Sequence, residues 1–168
     1  TMDGISQGSG TTNSQGVTIQ NGSSVTSTSS AADAITIIGE STASSAFAAL
    51  GFNIATTDSY VQATNGGGIS ISGTGGTATY DWAVQLSGNV LATTGPISIT
   101  GTANGSGNDI QGGGFIGQKS GSSVTNSTSN ISLMANTIAL GTNDRIASSG
   151  VLTLQPRTAG TTVGIAGG

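Results

Sequence analysis

The chain contains no cysteine and no histidine. Without cysteine there is neither a disulfide scaffold nor a thiolate metal site. Without histidine there is no imidazole base, and Ser-His or Cys-His nucleophile pairs cannot form. Only three basic residues occur, Lys119, Arg145 and Arg157. No basic patch can be built from them, so nucleic acid is not an expected partner. Charged residues make up 6% of the chain, against roughly 25% in an ordinary domain. With a net charge of only −4, self-repulsion cannot account for disorder. No apolar run approaches the roughly 20 residues that cross a bilayer, so no membrane insertion is expected. The opening TMDGISQGSG has neither a basic n-region nor an apolar h-region. If the protein is exported, its signal lies outside this stretch or has been removed. Long helices need runs of Ala, Leu, Glu, Lys or Gln, and these are missing. The one helix-friendly stretch, Ala43–Leu50, is short and reads as an insertion or a strand.

Glycine, serine, threonine and asparagine fill the chain, and within them one short phrase returns six times: apolar, Ser or Thr, apolar. It reads GVTIQ at Gly16–Gln20, AITIIGE at Ala34–Glu40, GISISGT at Gly68–Thr74, GPISITGT at Gly95–Thr102, NISLMA at Asn130–Ala135 and VLTLQP at Val151–Pro156. A flexible polar linker has no reason to space aliphatics at period 2. A strand phrase repeated between turn-rich segments marks one unit stacked on itself. Thr and Ser suit the outer face of a sheet, while Asn and Gly suit corners that need positive φ.

A second landmark precedes three of the phrases: GFNIA at Gly51–Ala55, WAVQL at Trp82–Leu86 and FIGQK at Phe115–Lys119. Phe52, Val84 and Ile116 are each 32 residues apart. A third apolar spot falls at Val25, Val61, Val90 and Val124. Three short strands and three corners, clearest in Trp82–Thr102, describe one turn of a three-sided parallel β-helix, an all-β solenoid with variable loops. Its expected inward columns are Val17, Phe52, Val84 and Ile116, and Ile35, Ile69, Ile97, Ile131 and Leu152. Strands at about 4.8 Å spacing in five or six coils predict a rod roughly 25–30 Å long. A sandwich or up-and-down barrel is the competing architecture, but it has no reason to repeat at 32 residues.

The whole chain, 1–168, reads as a single segment, with repeats of about 32 residues over 1–129 and a shorter subtype over 130–168. The subtype's strands are expected at Ile131–Leu133, Ile138–Leu140, Leu152–Leu154 and Val163–Ile165. Ser41–Ala49, Gly73–Asp81 and Thr100–Gly114 are expected as the long loops, where solenoids often carry binding function. Both ends of the segment are repeat-like, with no amphipathic helix to cover an open ladder. That predicts continuation by neighbouring repeats of the same chain or by identical subunits stacked head to tail.

The unit WAVQLSGNVLATTGPISITGT and the tail ISLMANTIALGTNDRIASSGVLTLQPRTAGTTVGIAGG resemble repeats in the large filamentous-haemagglutinin-like exoproteins of bacteria. LTLQPRTAGTTVGIAGG, Leu152–Gly168, is especially similar to a recurring segment of those adhesins. The resemblance implies a right-handed parallel β-helix, export by two-partner secretion or as an autotransporter, and a secreted or cell-surface role in attachment, aggregation and biofilm. Nothing like that family's N-terminal secretion domain or a barrel anchor is present, so the resemblance implies an interior section of a shaft.

Three functional classes follow: a structural shaft, a glycan- or protein-binding module using its loops, and a polysaccharide-active enzyme. The enzyme needs carboxylates or basic groups clustered on adjacent coils. The acids Asp3, Asp33, Glu40, Asp58, Asp81, Asp109 and Asp144 instead scatter through loops with no shared strand phase. Asp144-Arg145 is the best acid–base neighbourhood, and it reads more simply as a surface turn. GSGNDIQGG at Gly105–Gly113 superficially resembles a calcium-binding nonapeptide. However, Ile110 follows Asp109 directly and no neighbouring copy completes an oxygen cage, so no metal or cofactor is expected. Sequons at Asn21, Asn104, Asn126 and Asn130 are expected by chance in such a composition, and Asn104 and Asn126 fall in expected loops. Regularly spaced threonine for ordering ice is missing. Tyr80, Asp81 and Trp82 lie where a loop re-enters the helix, and could stack on a host or matrix glycan or simply pack. With Asn108 and Asp109 they are the candidate ligand contacts.

Overall fold

The structure, a computed structural model, describes all residues except 8–11, 45–46, 121–122, 126–127, 163 and 167–168. The described residues form strands and turns with no helix. The chain is a β-solenoid whose coils each contribute one strand to each of three sheets. The first coil comprises Met2–Ser6 (β1), Ser14–Ile19 (β2) and Ser24–Ser27 (β3), and the second Ile35–Ser41 (β4), Ala49–Ile54 (β5) and Tyr60–Ala63 (β6). The third is Ile69–Thr74 (β7), Val84–Leu86 (β8) and Asn89–Ala92 (β9), and the fourth Ile97–Thr102 (β10), Ile110–Gln111 (β11) and Phe115–Ser120 (β12). Ser123–Thr125 (β13) branches from the fourth coil. Ile131–Met134 (β14), Thr137–Ala139 (β15) and Arg145–Ile146 (β16) make the fifth, and Leu152–Gln155 (β17) and Gly164–Ala166 (β18) continue two of the sheets.

All ladder pairings are parallel except β12 with β13. Five of the six repeated phrases fall in one sheet, in the order β4-β7-β10-β14-β17, behind β1. There Ile35, Ile69, Ile97, Ile131 and Leu152 are register partners, as the spacing predicts. The intervening Thr36, Ser70, Ser98, Ser132 and Thr153 make a row of hydroxyls on the opposite face, because successive side chains alternate across a strand. GVTIQ lies instead in the second sheet, as β2.

The second column differs from the expected one. Val17, Phe52 and Val84 are register partners, but the next member is Ile110, followed by Ile138 and Ile165. Ile116 belongs to the third sheet, where it continues Val25, Val61 and Val90 and is followed by Ile146. The step from Val84 to Ile110 is 26 residues, not 32, because three successive connections shorten: 87–88 replaces 55–59, 93–96 replaces 64–68 and 103–109 replaces 75–83. Thr100–Gly114 is therefore not one loop. It contains the end of β10 and all of β11, and the corner itself is 103–109. Val124 is not a coil position: β13 pairs antiparallel with β12, opposing Val124 to Lys119.

The interior is one continuous aliphatic cluster that includes Phe52, Ile71, Val84, Ile99, Ile110 and Leu133. Removing such surface from water, together with close packing between like side chains, supplies the main drive to fold. At the corner between the first two sheets the backbones touch. A Cβ on Gly39 would overlap the Gly51 carbonyl oxygen, and one on Gly73 the Ala83 carbonyl oxygen. The Asn21-Gly22 and Asn65-Gly66 pairs both take positive φ in tight turns, as these residue types permit.

Candidate functional site

The corners that follow the first sheet stack into a ridge along the solenoid. Ala43, Ala49 and Ala78 form a small apolar core of their own within it. Backbone bonds tie successive corners together: Thr42 N–H donates to the Ser6 carbonyl, Thr77 N–H to Ala43, and Gly75 N–H to Thr102. The corners are therefore not independent loops, and each is fixed by its neighbours.

Beside this ridge, on the outer face of the second sheet, lies a groove of about 380 Å³. One wall is aromatic. Phe47 and Tyr80 have ring centroids 4.9 Å apart at 56°, and Tyr80 and Trp82 are 5.7 Å apart at 59°. These are tilted contacts of the kind that ring quadrupoles favour. Phe47 is 61% exposed and Tyr80 41%, so the wall faces solvent. Ladder geometry aligns the rings: an isolated parallel bridge joins Ala48 to Tyr80, and Ala49 N–H donates to the Tyr80 carbonyl.

The floor is a row of amides. Asn53 and Gln85 are register partners on β5 and β8, and Gln111 continues the row on β11. Gln15 Oε1 accepts from Asn53 Nδ2 at 3.4 Å and from the Thr18 hydroxyl. Asn53 is only 4% exposed, and its Oδ1 has no hydrogen-bond partner among the described residues. An unpaired buried carbonyl forgoes about 1–3 kcal/mol that a donor would recover. Among the described residues, no charged side chain lines the groove.

The five candidate contacts separate in space. Tyr80 and Trp82 line the groove. Asp81 is fully buried beneath the ridge, where its Oδ1 accepts Gly107 N–H at 2.5 Å and its Oδ2 has no partner among the described residues. Asp109 is also buried. Its Oδ1 accepts Ala103 N–H at 2.7 Å, while its Oδ2 accepts the N–H groups of Asn136 and Thr137 on the next coil. Asn108 Nδ2 donates to Gln111 Oε1 at 2.8 Å. Asp144 closes a turn: its N–H donates to the Gly141 carbonyl at 3.1 Å and its Oδ2 accepts Gly141 N–H. Among the described residues no three of Asp, Glu, His and Cys gather as a metal would require. Asn104 is exposed and donates to the Gly75 carbonyl. Asn126 and Val163 lie outside the described residues.

Phe47, Gln15, Asn53 and Gln85 were not singled out by motif. Their only signal is phase: Phe47 precedes Tyr80 by about one coil, and Asn53 and Gln85 each follow a member of the inner column by one residue. No family model, curated protein or solved structure matches this chain.

Proposed function

We propose that the chain is a shaft segment of an exported bacterial surface adhesin or extracellular filament, acting in attachment, aggregation or biofilm. The observation that carries this reading is the inner column Ile35–Ile69–Ile97–Ile131–Leu152, in unbroken parallel register. It runs out into Leu152, which is 46% exposed, and at the other end of the same sheet Met2, in register with the inward Ile37, is 41% exposed. Aliphatic columns that surface at both ends invite further coils, because a next strand would cover them and pair their open edges. The likeness of the repeat to filamentous-haemagglutinin-like exoproteins points the same way. So does the use of the acids, since Asp81, Asp109 and Asp144 hold backbone N–H groups. In this reading the solenoid is non-enzymatic and sets reach and stiffness.

The test is made in the source bacterium. An antiserum raised against the folded chain is expected to label intact, unpermeabilised cells or their shed filaments. A strain lacking these coils should attach or aggregate less. Labelling confined to lysed cells, with attachment unchanged, would overturn the proposal.

A further inference from the structure

We infer that the groove between Phe47, Tyr80, Trp82 and the Asn53–Gln85 amide row is a binding site for a neutral, linear saccharide. Its volume of about 380 Å³ lies within the 300–1,000 Å³ range of small-molecule sites. The surrounding chemistry selects the ligand class. A charged ligand would be desolvated with no opposite charge to meet it. A wholly apolar one would cover the Gln20 and Gln85 amides without meeting their hydrogen bonds. A sugar ring presents an apolar C–H face to an aromatic wall and hydroxyls at its rim. Those hydroxyls both donate and accept, so they can meet the side-chain amides of Gln20 and Gln85 that line the groove.

The geometry also favours a polymer over a single ring. Asn53 and Gln85 are stacked at strand spacing, about 4.8 Å, and repeat the same amide group along the solenoid axis. A chain of repeating hydroxyls can meet such a row more than once. An extended peptide is the other occupant of aromatic grooves. Here β5 and β8 are each paired on both sides, so strand addition is open beyond β2, at the sheet's edge, and not along the aromatic wall. The ridge positions the aromatic wall, so the site belongs to the stacked coils and not to one loop.

Trp82 is the single tryptophan of the chain, so its fluorescence reports occupancy directly. The whole chain is titrated with neutral hexasaccharides (cello-, xylo-, manno- and laminari-hexaose) and screened on an array of neutral glycans. The expected result is a saturable shift of Trp82 emission with at least one of them. Phe47→Ala and Tyr80→Ala should each weaken that binding at least tenfold, and Gln85→Leu should weaken it several-fold, with far-UV circular dichroism unchanged. The inference is overturned if no neutral saccharide gives a saturable response up to about 10 mM, the range of weak single-site binding. It is equally overturned if only polygalacturonate, heparin or peptides respond, or if correctly folded Phe47→Ala and Tyr80→Ala bind as the unaltered chain does.

Discussion

Gly73 lies so close to the Ala83 carbonyl oxygen that the two coil sides meet backbone to backbone. Neither partner can retreat, because Gly73 is paired in register with Gly39 and Gly101 while Ala83 N–H donates to the Asn108 carbonyl. Gly73→Ala should therefore destabilise the chain by about 3 kcal/mol through overpacking. Gly141→Ala, where a Cβ would find only ordinary contact with Asp144, should stay within about 0.5 kcal/mol. Urea midpoints of the two variants make the comparison.

Phe52 is the largest fully buried side chain and sits between Val17 and Val84 in the second column. Phe52→Ala should cost about 3–5 kcal/mol, from lost transfer energy and a residual cavity. The same urea measurement should show it among the most damaging single truncations in the core.

Asp109 spans two coils, accepting three backbone N–H groups with one carboxylate. Asp109→Ala strands those donors and should cost about 3 kcal/mol or more. Asp109→Asn retains one acceptor oxygen and turns an NH2 group toward donors, so an intermediate loss is expected. Amide hydrogen exchange should show Ala103, Asn136 and Thr137 losing protection in the Ala variant first.

Asp58 has its carboxyl held below its ordinary value, first by the Thr56 hydroxyl; desolvation opposes the shift, and the N–H groups of Asp58 and Gly22 add to it. A depressed folded-state value stabilises the native state above the unfolded value, and the benefit is lost as pH falls through the folded value. The gap in melting temperature between the unaltered chain and Asp58→Asn should be open near neutral pH. It should close in acid, below the ordinary carboxylate range. A gap that widens in acid would show the opposite linkage.

Much of the architecture is legible in the sequence because a solenoid repeats its constraints. Ile35, Ile69, Ile97, Ile131 and Leu152 each face the same interior, so each coil preserves an apolar residue at that phase. The corner lengths carry no such constraint. The 32-residue step from Phe52 to Val84 suggests the same step to Ile116, yet shorter connections at 87–88, 93–96 and 103–109 together let Ile110 arrive first. Ile110 and Ile116 are both isolated aliphatics in glycine-rich surroundings, and only stacking against Val84 and Val90 separates them. The groove is harder still to see. Tyr80 and Trp82 stand out as rare aromatics, but Asn53 and Gln85 look like any polar outward position, and Phe47 meets Tyr80 only because the coils align them.

The continuity of the second sheet from the third coil to the fifth rests on the placement of Ile110–Gln111 beside Val84–Gln85. The chain has no cysteine, so paired cysteines can test that register without background. Asn53 and Gln85 are partners in either register and serve as the positive control. Neighbouring partners lie within the 4.4–6.8 Å Cα separation a disulfide needs. Under mild oxidation the double variant Gln85→Cys/Gln111→Cys should form an intramolecular disulfide as readily as Asn53→Cys/Gln85→Cys. Cross-linking of the 53/85 pair but not of the 85/111 pair, in folded protein, would contradict the stacked-coil account.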